Sequence, residues 1–313
     1  MEVSLTENEE VIACLFDGDY HLGLAAFANS LVKAEFKGII NSACTSNVLP
    51  FWVKQLKEID KETFYLTNEI IIYFEQISTD MHLAYYKPYF IQKTLNKYNS
   101  ADKFFYFDVD IVINAHWSFF SNWLEGDVCF CIDNNFPFVH SNHPWRKDWL
   151  KLNIANPAIA NATDYYVNTG FMAITRRNIK LLDKWIYLTE KYEETGGNLK
   201  VVNQDGHRSF KGDQDILNAA LTVLPDLPIS LIGTEGMGFS HPAYLMTHAI
   251  GNIKPWNKTF LSHLIRYGQK PTNAEKNFFN YCHHPLKVFT KTTFILKKID
   301  LFFATIFGRF IGY

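Results

Sequence analysis

A chain of 313 residues, 48% of them hydrophobic and 20% charged, is long enough to bury a large core. Its formal net charge of -2, with no long basic stripe in the main body, excludes a nucleic-acid-binding footprint. Five cysteines without Cys-x-x-Cys pairs or zinc spacing read as buried thiols in a reducing compartment. The acidic amino terminus lacks the basic-then-apolar layout of an export signal, so Asn161-Ala162-Thr163 and Asn257-Lys258-Thr259 are expected to be chance matches to the glycosylation pattern.

An apolar run at 11–16, the turn Asp17-Gly18-Asp19-Tyr20 and helical spacing over 21–32 predict a strand, a turn and a helix. Residues 38–42, 64–66 and 70–74 carry further strand material, and 81–98 is helical with Lys87-Pro88 inside it. The dense aromatic and β-branched run 103–113 predicts one strand buried on both faces of a parallel sheet. A strand at 128–132 follows, then a loop over 133–162 rich in Asn, His, Pro and Trp. Residues 165–174 are strand-like around the polar step Asn168-Thr169-Gly170, a helix is expected over 178–194, and Gly212-Asp213-Gln214-Asp215 caps a helix over 216–224. Residues 233–238 read as flexible. Strands alternating with helices predict an α/β sheet wrapped by helices, with no internal repeat and no linker marking independent domains.

Asp108 and Asp110 lie in the run 103–113, where open α/β sheets gather ligands at the carboxyl ends of strands. Buried carboxylates need a partner, and a divalent cation serves two of them one residue apart. The same pattern also describes a strand ending in a solvated acidic turn.

Four motifs in order decide between these readings: Leu15-Phe16-Asp17-Gly18-Asp19-Tyr20; Tyr106-Phe107-Asp108-Val109-Asp110; Asn168-Thr169-Gly170 with Asp213-Gln214-Asp215; and His248-x-x-Gly251-x-x-Lys254-Pro255-Trp256. Across roughly residues 10–260 the chain resembles the retaining glycosyltransferases of family 8, the group of glycogenin and the bacterial lipopolysaccharide galactosyl- and glucosyltransferases. The resemblance implies a GT-A fold over residues 1–270, with a Rossmann-like, mostly parallel sheet and flanking helices. It also implies a UDP-glucose or UDP-galactose donor, a saccharide, glycan or lipid-linked glycan acceptor, and bound manganese, with magnesium as the alternative ion. Asp108, Asp110 and His248 would hold the metal, the imidazole favouring manganese. Phe16, Asp17 and Tyr20 would line the base, Asp17 bonding the uracil edge. Lys87 would touch the donor, Asn168, Thr169 and Asp213 the sugar, and Gly251 and Lys254 the phosphates. Gln214 would lie under the anomeric carbon, sharing the catalytic region with Asp213. Taken singly, Asp17 and Tyr20 also fit a turn and a core tyrosine, Gly251 a structural turn, and Lys254 a surface charge. The chemistry is consistent with the set, because a diphosphate leaving group needs metal and cationic donors as its charge builds.

A haloacid-dehalogenase-like phosphatase also places Asp-x-Asp after a buried strand, but it would leave residues 248–256 without a role. A non-catalytic sugar-nucleotide-binding module is the remaining alternative. The 133–162 loop is expected either to meet the acceptor, through Trp145 and Trp149, or to serve as a structural lid. Residues 271–313 read as a basic amphipathic tail, with five cations against Asp300 from 285 onward. A helical projection gathers Ile295, Ile299, Phe302, Phe303, Ile306, Phe307 and Phe310 on one side, and Lys297, Lys298, Thr305, Gly308 and Arg309 on the other. That layout predicts either a helix lying in a membrane interface or one packed back on the protein. The expected setting is bacterial envelope polysaccharide synthesis, with the protein peripheral on the cytoplasmic face of the membrane.

Overall fold

The computed structural model describes residues 10–153, 164–202, 209–224, 226–242 and 245–311. Its strands are β1 (Glu10–Leu15), β2 (Gly38–Cys44), β3 (Lys57–Glu58), β4 (Thr63–Tyr65), β5 (Ile70–Gln76), β6 (Lys103–Phe107), β7 (Ile111–Ile113), β8 (Val128–Cys131), β9 (Phe171–Thr175), β10 (Ile229–Ile232) and β11 (Met246–His248). Its helices are α1 (His21–Lys33), α2 (Leu83–Lys97), α3 (Trp117–Trp123), α4 (Pro144–Leu152), α5 (Lys180–Glu194), α6 (Asp213–Val223), α7 (Phe260–Tyr267), α8 (Asn273–Asn280) and α9 (Lys291–Ile311).

Nine strands form one mostly parallel sheet in the order β10-β8-β9-β6-β1-β2-β5-β4-β3, with β9 and β4 running against the rest. The period of two in the central strands explains why both faces are covered. Phe105 and Phe107 of β6 pack with α1, α3 and α8 on one side, while Phe104 and Tyr106 pack with α2, α5 and α6 on the other. Each fully buried ring contributes roughly 3 kcal/mol of apolar burial.

The run 103–113 is not one strand. It breaks after Phe107: the Asp108 N–H donates to the Gly170 carbonyl at 2.8 Å, the Ile111 N–H to the Asp108 carbonyl at 3.1 Å, and the chain turns into β7. β7 leaves the main sheet and pairs antiparallel with β11, setting His248 opposite Ile111. The turn gives the carboxylates somewhere other than the sheet interior to point. Residues 165–174 likewise reduce to bridges at Tyr165 and Val167, a turn, and β9. Residues 233–238, expected to be flexible, hold a 3-10 turn with Met237 fully buried. The 133–162 loop contains α4, capped by the His143 ring and started by Pro144; residues 154–162 of that loop lie outside the described part.

The carboxyl-terminal segment is stitched to the first helix. Buried Asn29 of α1 donates to the carbonyls of Tyr281 and Leu286 and accepts from the Leu286 N–H. α9 packs on α7 through Leu301, Ala304 and Gly308, where an added Cβ at Gly308 would sit 2.8 Å from Lys270. Asp300 accepts from the Phe260 and Leu261 N–H groups at 2.6 and 3.0 Å, capping α7 from the neighbouring helix. Small residues thus face inward, and the stripe of Ile295, Ile299, Phe302, Phe303, Phe307 and Phe310 faces out, with Phe310 81% exposed. Among the described residues, no helix is long and apolar enough to cross a membrane.

Candidate active site

A cavity of about 470 Å³ opens where the carboxyl ends of β1 and β6 meet the turn before β7. Phe16, Asp17, Tyr20, Lys87, Asp108, Asp110, His248, Gly251 and Lys254 line it, together with Tyr106, Thr45 and residues 81–84. Segments far apart in the chain meet here because β11 clips onto β7: the Ala249 N–H donates to the Asp110 carbonyl at 3.0 Å, and His248 Nε2 comes 3.1 Å from Asp110 Oδ1. Gly170 makes room for that ring, since a Cβ there would fall 2.6 Å from His248 Cε1. Gly251, at φ +117, turns the chain where a side chain would be strained and leaves open space beside its backbone.

Two lysines balance three carboxylates. Lys87, buried on α2 just before Pro88, lies 3.0 Å from Asp108 Oδ1 and 3.3 Å from Asp213 Oδ2, and donates to the Thr169 carbonyl. Lys254 Nζ is 2.6 Å from Asp110 Oδ2 and 3.1 Å from the Ala249 carbonyl. Burial pushes the Asp110 carboxyl up, but His248 and Lys254 outweigh it and hold the group well below the usual carboxylate range. Burial likewise pulls both lysines down, and their carboxylate partners override it, so both stay charged. Ligand atoms of Asp108, Asp110 and His248 lie within 4.8 Å of one another, and His248 Nδ1 is buried with no hydrogen-bond partner among the described residues. Two carboxylates and an imidazole converging at one place on the cavity wall fit a divalent metal with mixed oxygen and nitrogen preference.

Asn168, Thr169, Asp213 and Gln214 do not line the cavity but stand behind its floor. The Thr169 N–H donates to Gln214 Oε1 at 3.2 Å, and Asn168 Nδ2 to Asp133 Oδ2 at 2.8 Å. Asp213 reaches the cavity through Lys87. At the β1 end of the cavity, Asp17 accepts from the Thr45 hydroxyl at 2.8 Å, and Tyr20 stands edge-on to Trp256 at 5.2 Å.

In structure the chain is similar to the bifunctional glycosyltransferase WbbM (TM-score 0.53, 12% identity, 90% of this chain and 50% of that one). It is also similar to the glycosyltransferase GlyE of Streptococcus pneumoniae TIGR4 (TM-score 0.52, 15% identity, 96% of this chain and 64% of that one). It has the GT-A glycosyltransferase fold. The chain spans half the length of the first and under two thirds of the second. No protein-family model and no curated protein sequence matches it.

On this GT-A scaffold several residues around the site carried no sequence signal of their own. Tyr106, whose hydroxyl donates to Asp108 Oδ1 at 3.0 Å, opens the second motif, but nothing in the sequence gives it a role beyond filling β6. Thr45 and Asp133 sit just after strand ends, where sequence offers only turn polarity. Trp149 departs from its expected place at an acceptor surface. It is fully buried, stacks on Tyr166 and donates to the Ser209 carbonyl at 2.6 Å, because the i, i+3 spacing of Arg146, Trp149 and Leu152 is the core face of α4.

Behind Gln214, Asp215 accepts from the Tyr166 hydroxyl at 2.7 Å and from the Lys211 and Gly212 N–H groups. Burial pushes its carboxyl up to about 6 against these donors. A raised carboxyl means that the folded state holds a proton the unfolded chain has lost, so this contribution to stability is present at acid pH and fades as pH rises through 6. The expected result is that Asp215→Asn gains on wild type by up to ~3 kcal/mol between about pH 4 and pH 7 in urea titrations. A pH-independent difference between the two proteins would contradict it.

Proposed function

We propose that the protein is a metal-dependent retaining glycosyltransferase of the family 8 type, moving glucose or galactose from a UDP-sugar to a saccharide or lipid-linked glycan in envelope polysaccharide synthesis. The observation that carries the reading is the convergence of Asp108, Asp110 and His248 with buried Lys87 and partly buried Lys254 on a single cavity. A bound manganese or magnesium ion, held by those three residues, would supply charge stabilisation for the departing diphosphate. Lys254 and Lys87 lie where they can take up phosphate and sugar contacts, and Asp17 and Tyr20 border the end suited to the base. The bond from the anomeric carbon to the diphosphate oxygen breaks, the acceptor oxygen bonds that carbon, and the acceptor proton passes to the leaving diphosphate. Gln214, an amide where a covalent mechanism needs a carboxylate, favours transfer on one face without a glycosyl-enzyme. The haloacid-dehalogenase alternative loses its footing on this fold, since residues 248–254 share the cavity with Asp108.

The test is turnover of UDP-glucose and UDP-galactose, with the product anomer read from NMR coupling. An α-linked product and activity abolished by chelator are expected. A β product would remove the retaining assignment, and binding without turnover would leave a non-catalytic module.

The outward stripe of α9, with Lys297, Lys298 and Arg309 on the same helix, supports peripheral attachment to an anionic cytoplasmic leaflet. Because Asp300 and Leu301 also hold α7, point changes are the cleaner test than removal of the tail. Phe303→Ser with Phe307→Ser should release the protein from anionic vesicles in flotation and leave its melting temperature within a few degrees. Co-flotation of the double variant at the wild-type level would end the assignment.

A further inference from the structure

Beside the transferred-sugar residues lies an aromatic surface that the donor reading does not use. Asp133, buried after β8, accepts from the Asn135 and Phe136 N–H groups and from Asn168, so the turn that follows is tied to the segment flooring the cavity. Phe136 meets Trp145 edge-on at 5.0 Å, and Lys211 Nζ lies 4.7 Å over the Phe136 ring and 5.2 Å over Trp145. Phe138, 69% exposed, pairs across an isolated bridge with Tyr165, 41% exposed, their rings 5.6 Å apart.

These rings are held rigidly rather than left loose. Arg146 of α4 is 1% exposed, and its fork donates to the Val139 carbonyl at 2.7 Å, the Tyr165 carbonyl at 3.0 Å and the Thr222 hydroxyl. A buried guanidinium thus fixes the backbone on both sides of the Phe138 and Tyr165 pair. Exposed aromatic faces on fixed backbone lose little entropy when a flat apolar sugar face stacks on them. Lys211 lies two residues before Asp213, makes no ion pair among the described residues, and presents an ammonium at the rim. An ammonium and aromatic faces side by side match a sugar ring carrying an anionic group.

We infer that Phe136, Phe138, Trp145, Tyr165 and Lys211 form the acceptor subsite, and that it takes a saccharide bearing a carboxylate or phosphate in preference to a neutral one. The inference rests on the glycosyl-transfer reading and adds the acceptor's chemical class to it.

The experiment is saturation-transfer NMR on the full chain, with UDP and diamagnetic Mg2+ present to fill the donor cavity. The probes are methyl β-glucuronide, glucose 6-phosphate and methyl β-glucoside. One or both acidic probes should bind at least about fivefold more tightly than the neutral one, and whichever does identifies the anionic group. Lys211→Ala should erase that preference, and Phe138→Ser should weaken all three probes about fivefold or more. Equal binding of the three probes to wild type, or an acid preference that survives Lys211→Ala, overturns the inference while leaving the donor site standing. Failure of wild type to bind UDP in the same samples overturns the reading beneath it.

Discussion

Asp110→Asn should lower metal-dependent turnover of a UDP-hexose by ~10²-fold or more while keeping the shape of the site. Asp110 is the hub of the cavity: one oxygen faces His248 at 3.1 Å and the other Lys254 at 2.6 Å. An amide retains the volume but removes the charge that both the lysine and a divalent ion need. The Lys254 ammonium then remains in a largely buried place without its counter-charge, and stability should fall by about 3 kcal/mol. Kinetics with and without chelator, together with urea unfolding, read both effects. An Asn variant that keeps metal-dependent turnover within a few-fold of wild type would move the metal site elsewhere.

Lys254→Met should push metal and nucleotide binding in opposite directions. The Lys254 ammonium lies 2.6 Å from Asp110 Oδ2, so a cation bound at that carboxylate meets a like charge beside it. Removing that charge should tighten manganese binding in the absence of nucleotide by about tenfold, and the loss of a phosphate partner should weaken UDP binding by tenfold or more. Free manganese measured by paramagnetic resonance, and UDP by calorimetry, separate the two. Parallel weakening of both ligands would show that Lys254 supports the site only structurally.

Much of the scaffold was legible in the sequence because its signals are local. The period of two in β1 and β6, and the helical spacing of α1 and α5, follow from burial on known faces. Asp108, Asp110, His248 and Lys254 were legible as motifs, but the reason they meet was not. The β7 and β11 pairing joins two three-residue strands, too short to leave a pattern, and it also explains why 103–113 read as one strand. Trp149 misled because an aromatic in a polar stretch looks available for stacking, while its burial depends on Ser209 and Tyr166, which local sequence cannot place. The α9 stripe was legible as amphipathic. Which side packs inward depended on Leu264 and Lys270 of another segment, and small Ala304 and Gly308 admit that closer approach.

The amide of Asn29 sets a clock on biosynthesis. Its partner Leu286 lies 257 residues downstream, so until that segment emerges the Asn29 side of α1 stays uncovered and its amide bonds to water. At the usual ~5–20 residues per second of translation, that interval is on the order of tens of seconds. Throughout it the apolar residues beside Asn29 on α1 also lack the cover of Tyr281, Leu286 and Val288, and exposed apolar surface is what holdase chaperones bind. Ribosome-bound chains stalled before residue 281 should therefore be cut by protease within α1, and chains released beyond residue 290 should resist.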